Sequence, residues 1–196
     1  MKNIIVMIKD IILENRSYRR FYQDHLIERE QLLALVDLAR LSASARNAQP
    51  LKYILSCDKD KNDKIFPSLA WAAYLKDWNG PAEGERPSGY ILMLADKDIT
   101  NNYFCDHGIA AQSILMGAVE MGLGGCIIAN IRGDELRKTL SIPDKFDIVQ
   151  VIALGKPKET VVIEKIKQSG DFKYWRDDNQ VHHVPKRSLD EIIVHL

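Results

Sequence analysis

Cysteine is scarce in this sequence: Cys57, Cys105 and Cys126 are the only three in 196 residues. An odd count without framework spacing excludes a disulfide scaffold and points to a reduced, cytoplasmic protein. An excess of charge of one sign is also lacking, with 27 basic against 27 acidic side chains. That argues against broad nucleic-acid or membrane-surface binding, while leaving room for a local basic pocket. No apolar run is long enough to span a bilayer. The apolar first dozen residues are interrupted by Lys2, Lys9 and Asp10 and lead to no cleavage site, so no signal peptide is expected.

Familiar catalytic signatures are missing too. There is no G-x-S-x-G elbow, P-loop or H-E-x-x-H. No cluster has structural-zinc spacing, and the adjacent His182 and His183 would point apart in a strand, so no metal is expected. Cys105-Asp106-His107 offers a nucleophile beside a base, but such groups must meet in space, and the Asp-His pair reads better as a helix start. Gly122-Leu123-Gly124-Gly125 follows a helix and precedes a strand, the reverse of the dinucleotide-binding order. It reads as a tight connection.

What is present suits one domain over residues 1–196: 46% hydrophobic and 28% charged residues, enough chain for a proper core, and helices and strands intermixed as in an α+β or α/β fold. Ile4, Ile5, Ile8, Ile11 and Ile12 recur at helical spacing up to a stop at Asn15, and a second helix from Glu28 carries Leu32, Leu35, Val36 and Ala39. Strands are expected at Leu51–Cys57, Tyr90–Ala95, Ile127–Ile131 and Ile148–Leu154. A charged turn is expected at Asp58–Asp63, with helices at Ile65–Leu75, Asp106–Met121 and Gly133–Leu140. The second of these is rich in small residues and suited to tight packing. Ser188 with Glu191 makes a capping box for a last helix. The glycines and prolines of Lys76–Pro87 mark an irregular loop that is either a lid carrying Trp78 or a locally packed segment.

Three stretches could carry chemistry. Arg16-Ser17-Tyr18-Arg19-Arg20-Phe21 combines guanidinium forks and a hydroxyl, the makings of a phosphate clamp. A solvated charge run is the plainer reading, but it would not need Tyr and Phe anchors. Ser42–Pro50 is a small-residue loop in which Asn47 and Gln49 could meet the edge of a heterocycle, although an ordinary linker has the same composition. Lys186-Arg187 is a second basic pair.

The first two of these stretches, with three more, resemble the FMN-dependent nitroreductase family over nearly the whole chain. The clamp is similar to its Arg-Ser-x-Arg-x-Phe opening, and Ala43-Ser44-Ala45-Arg46-Asn47-Ala48-Gln49-Pro50 to its Pro-Ser-(Ser/Ala)-x-Asn-x-Gln-Pro loop. Asp106-His107-Gly108-Ile109-Ala110-Ala111-Gln112 is similar to the start of its central helix. Gly122-Leu123-Gly124-Gly125-Cys126 and Gly155-Lys156-Pro157 are similar to its glycine motifs. The resemblance implies a three-layer α+β fold, with a mainly antiparallel central sheet flanked by helices, in an intertwined homodimer. It implies FMN as cofactor, NADH or NADPH as electron donor, and ping-pong reduction of a small electron-poor acceptor such as a nitroaromatic or quinone.

Carried onto this sequence, Arg16, Ser17 and Arg19 would hold the phosphate and ribityl chain, with Arg19 reaching the pyrimidine edge; Arg20 is a second candidate for that charge. Lys186 and Arg187 would close on the phosphate. Ala43, Ser44, Ala45 and Asn47, in the same loop as Gln49, would come from the partner subunit, and Ile128, Ala129 and Asn130 would lie against the flavin N5 region. No side chain is expected to be catalytic by acid, base or nucleophile. Ala43 stands where the family usually has Pro, Leu51 where it often has an aromatic, and Asn15 where it commonly has Arg. Relatives also carry out dehalogenation, azoline oxidation and flavin fragmentation. A non-catalytic binder of another phosphate ligand is a further alternative.

Overall fold

The structure is a computed structural model that describes residues 7–167 and 170–194. Ile4 and Ile5 of the expected first helix lie outside the described residues. The described part of that helix is short: α1 spans Ile8–Glu14 and buries none of its residues.

The central sheet is organised on β5 (Phe146–Pro157), the longest strand. Along one edge of β5 runs β3 (Gly89–Asp96), with β2 (Leu51–Ser56) beyond it. Along the other edge β4 (Gly124–Ile128) and β1 (Phe21–Tyr22) lie end to end, and all four ladders are antiparallel. Every residue of β3 is buried, because this strand is covered on both faces. Ile91, Met93, Ile152 and Leu154 face α2 (Arg29–Leu41) and α4 (Asp106–Glu120). Tyr90, Leu92, Val151 and Ala153 face the opposite core, which holds Ile65 of α3 (Lys59–Ile65) and Leu136 of α5 (Gly133–Leu140). Alternation along the strands thus feeds two cores and produces three α+β layers.

Small residues let these layers close. On α4, a Cβ at Gly117 would run into Leu35 and Leu38 of α2. At Gly124 a Cβ would lie 2.5 Å from the Tyr18 ring. The glycine stretch is therefore only partly a turn. Gly122, at φ +69°, makes the turn, while Gly124 and Gly125 already belong to β4. The strand expected at Ile127–Ile131 begins three residues earlier and ends at Ile128.

Two other expectations are corrected. The charged Asp58–Asp63 is not a turn but most of α3, capped by Asp58, whose carboxylate accepts from the Lys61 N–H at 2.9 Å. Its anchor is polar: Asn62 meets the Ser56 hydroxyl at 2.7 Å and donates to the Ser88 carbonyl at 2.9 Å. The helix expected over Ile65–Leu75 shrinks to a 3₁₀ turn at Phe66–Ser68. Pro67 has no N–H to continue a helix, and Leu69 instead bridges to Ile131.

After β5 the chain forms a small second sheet in the order β6 (Val161–Lys165), β8 (His182–Lys186), β7 (Trp175–Arg176). The short α6 (Leu189–Ile192) comes last, with the expected Ser188–Glu191 capping box. Among the described residues no helix is long and apolar enough to cross a membrane.

Candidate active site

The basic cluster is pinned from both sides, as its aromatic spacing suggests. Ser17 bridges to Gly125, the Tyr18 N–H donates to the Gly125 carbonyl at 3.0 Å, and Phe21 is fully buried in β1. Its three arginines then separate in role. Arg16 donates to the Ile12 carbonyl at 2.7 Å and keeps a buried Nε with no partner among the described residues. Arg19 donates to the Ser17 carbonyl at 3.1 Å and lies 5.0 Å over the Tyr174 ring. Arg20 makes a fork to Glu85 with both contacts at 2.6 Å. Lys158 reaches the same carboxylate at 3.0 Å. Hydrogen bonding from Arg20, ahead of that from Lys158, holds the Glu85 carboxyl down at about 2. Arg20 is thus committed to the scaffold, which leaves Arg19 for a ligand.

A buried carboxylate organises the clamp from behind. Glu159 Oε1 accepts from the backbone N–H groups of Arg19 and Arg20, and Oε2 accepts from Arg176 Nη2 at 3.0 Å. Arg176 in turn lies 4.8 Å over the Trp78 ring. The Trp78 loop is therefore tied to the tail through the clamp's own anchor.

His182 sits beside them, 3.4 Å from Arg19 Nη1 through its Nε2. Burial, reinforced by the charges of Arg19 and Arg176, pushes its pKa down to about 4. The ring is neutral at pH 7 and, with its proton on Nδ1, accepts from Arg19. Because the unfolded chain takes up this proton near pH 6.5 and the fold resists it to about 4, His182 stabilises the protein above 6.5. That contribution is lost as pH falls through 4, at a cost of about 3 kcal/mol. Urea midpoints between pH 7 and 4 should fall more steeply for the native chain than for His182→Gln; parallel curves would refute the assignment.

Arg19 and Tyr174 open onto a cleft of about 210 Å³ whose other walls are Trp71 and the strip Cys126–Asn130. The structure thus brings Ile128, Ala129 and Asn130 to Arg19. Burial pushes the Cys126 thiol up, so it is a neutral wall rather than a nucleophile.

The small-residue loop is held elsewhere. Asp106, buried at the start of α4, accepts from the Ser44 hydroxyl at 2.6 Å and the Ala45 N–H at 2.8 Å. Ser44 Oγ accepts from the Gln49 N–H at 2.9 Å, and Gln49 Nε2 donates to Asn47 Oδ1 at 3.2 Å. Arg46, Asn47 and Gln49 are left-handed, at φ 55°, 54° and 53°. This backbone persists because Asp106 and Ser44 fix it. Ala43, Ser44 and Gln49 line a separate cavity of about 230 Å³ with Tyr53. It shares no lining residue with the Arg19 cleft. Lys186 and Arg187 are in a third place: Lys186 ends β8 opposite Lys165, and Arg187 pairs with Glu191 at 3.7 Å. Among the described residues neither makes a hydrogen bond or ion pair with Arg16, Ser17 or Arg19.

The fold and the cleft together define a three-layer α+β protein with a basic cleft beside β4. The nitroreductase family model matches residues 12–79 and 86–156, and the chain belongs to that family. Among named relatives, MhqN of Bacillus subtilis, provisionally named an NAD(P)H nitroreductase, is 25% identical over 189 residues, covering 76% of this chain and 87% of its own. FMN reductase (NADPH) of Bacillus subtilis is 25% identical, over 76% of this chain and 65% of its own. A nitroreductase family protein from Streptococcus pneumoniae superposes with a TM-score of 0.67 over 97% of this chain and all of its own, at 17% identity.

Sequence reasoning missed Glu159, Asp106, His182 and Tyr174 as site residues. Only Asp106 left a trace, as the acid of the Asp-x-Gly-x-Ala-x-Gln stretch.

Proposed function

We propose that the protein is a dimeric FMN-dependent oxidoreductase that draws electrons from NADH or NADPH and reduces electron-poor small molecules such as nitroaromatics or quinones. The observation that carries this reading is the cleft in which Arg19 meets the main-chain strip Ile128–Asn130, with Ser17 and the Arg16 Nε, buried and without a partner among the described residues, in the same clamp. Two guanidinium forks and a hydroxyl suit a phosphomonoester and a pyrimidine edge. The Bacillus subtilis relatives support the same chemistry.

Bound FMN would supply two-electron transfer between donor and acceptor. The chain's part is to bind and orient. Arg16 and Ser17 would hold the phosphate, and Lys186 and Arg187, which stand apart from them within one chain, would add positive charge to it from the tail. Arg19 would keep a permanent positive charge at the pyrimidine edge, which raises the cofactor's reduction potential. Ile128, Ala129 and Asn130 would present main chain to the reacting face, while Trp71 and Tyr174 limit water.

Ala43, Ser44, Ala45, Asn47 and Gln49 would serve the cofactor held by a second copy of the chain. Their remoteness from Arg19 within one chain supports this, as do the exposed apolar side chains Ile8, Ile12 and Leu13 of α1 and Leu33 and Leu41 of α2.

The purified protein should be yellow, release FMN on denaturation and run as a dimer. Under anaerobic conditions NADH or NADPH should bleach its flavin absorbance. A yellow protein bleached by neither donor would refute the donor assignment, and a colourless one that takes up no FMN would refute the cofactor.

A further inference from the structure

A third cavity lies beside the Arg19 cleft, against the small sheet. It measures about 450 Å³ and is bordered by Lys165, Lys167, Lys173 and Asp171 and by the rings of Tyr74, Tyr174 and Trp175. One carboxylate, Asp171, shares the lining with the lysines, and others nearby are engaged by neighbouring groups. Glu164 is 2.5 Å from His183 Nδ1, Asp177 accepts from the Val181 N–H at 2.8 Å, and Asp171 accepts from the Lys173 N–H at 3.0 Å. Among the described residues none of the three lysines forms an ion pair. In a chain of zero net charge, this sets three lysines against one carboxylate around a concave, aromatic-walled space.

All three lysines are exposed to solvent. These three border the same cavity, and Lys167 Nζ is held 5.5 Å from the Trp175 ring centre. The cavity also adjoins the proposed flavin site, because Tyr174 lines both spaces and carries the Arg19 guanidinium on its ring. A ligand reaching across Tyr174 would have one end at the redox centre and an anionic end among the lysines. Lysine ammoniums are compact point charges suited to a terminal phosphate, and the rings offer a flat base an apolar wall.

We propose that this cavity receives the adenosine end of the nicotinamide donor, with the lysines on its 2′-phosphate, so that NADPH is preferred to NADH. The proposal rests on the donor reading of the Arg19 cleft.

The test is steady-state kinetics of the FMN-loaded protein and of Lys165→Gln/Lys167→Gln/Lys173→Gln, which keeps much of each stem's bulk and removes the charges. The native protein should favour NADPH over NADH by about tenfold or more in kcat/KM, the scale of one charge-assisted contact. The variant should lose that preference through a raised KM for NADPH, with NADH kinetics and FMN content unchanged. Equal use of the two donors by the native protein, or a preference that survives in the variant, would overturn the proposal. Loss of FMN from the variant would also overturn it, by giving the cavity to the flavin phosphate.

Binding of 2′-AMP and 5′-AMP, measured by calorimetry, tests the cavity without turnover. The native protein should hold 2′-AMP about tenfold more tightly, and the variant should not discriminate. No discrimination by the native protein overturns the proposal. If neither donor bleaches the flavin while 2′-AMP still binds selectively, the donor reading fails and the adenosine 2′-phosphate site stands.

Discussion

Arg16→Ala combined with Arg19→Ala is expected to yield a folded protein that emerges without FMN. Each guanidinium is assigned charge-assisted bonds worth about 1.5–3 kcal/mol. Removing two such groups costs roughly 3–6 kcal/mol, or about a hundred- to ten-thousandfold in Kd. The fold should survive, because Arg16 and Arg19 make only local carbonyl contacts, a ring contact and a long 3.4 Å contact to His182, while the buried ties of the segment run through the Tyr18 N–H, Phe21 and Glu159. Arg20→Ala is the contrasting control. It removes the Glu85 fork and should lower stability while leaving FMN bound. The ratio of flavin to protein absorbance reads the first effect, and urea denaturation the second. Stoichiometric FMN in the double variant would refute the clamp.

The second large effect is expected at Glu159. Glu159→Ala leaves the Arg176 guanidinium buried without its counter-charge and strips an acceptor from two backbone N–H groups. Breaking one side of a buried pair costs about 3–5 kcal/mol. For a chain of this length that is on the order of 10 °C in Tm. Glu159→Gln keeps an oxygen for the backbone and should lose less. The Ala variant should also bind FMN more weakly, because the main chain under Arg19 is no longer held. An Ala variant as stable as the native chain, with unchanged FMN affinity, would refute this assignment.

The sequence made some of this legible and hid the rest for physical reasons. β3 and the heart of β5 could be read because they are apolar runs, and α4 because its small residues mark a packed face. The clamp could be read because aromatic anchors alternate with its arginines. α3 escaped because its buried anchors are Asn62 and the terminal Ile65 alone and its other positions are charged, so no apolar stripe marks it. The division of labour between Arg19 and Arg20 also escaped, since it depends on Glu85, far along the chain. Glu159 sits 140 positions from Arg19 in a polar tail, with nothing local to set it apart. His182 and His183 show the limit most simply. Strand alternation places them on opposite faces, but only the packing makes one a buried neutral ring and the other a partner of Glu164 and Asp177.

The pairing of β5 with three other strands along its two edges also bears on how the molecule is made. β1, β3 and β4 all precede β5 in the chain, and each takes it as a neighbour in the finished sheet. During synthesis β3 can form a hairpin-like pair with β2, but β1 and β4 have no sheet to join until Pro157 has emerged. At typical elongation rates that is on the order of ten seconds. For that interval the nascent chain carries open strand edges and uncovered apolar faces, the species most prone to aggregate. The high sequence separation of the final pairings makes the closing step slow as well.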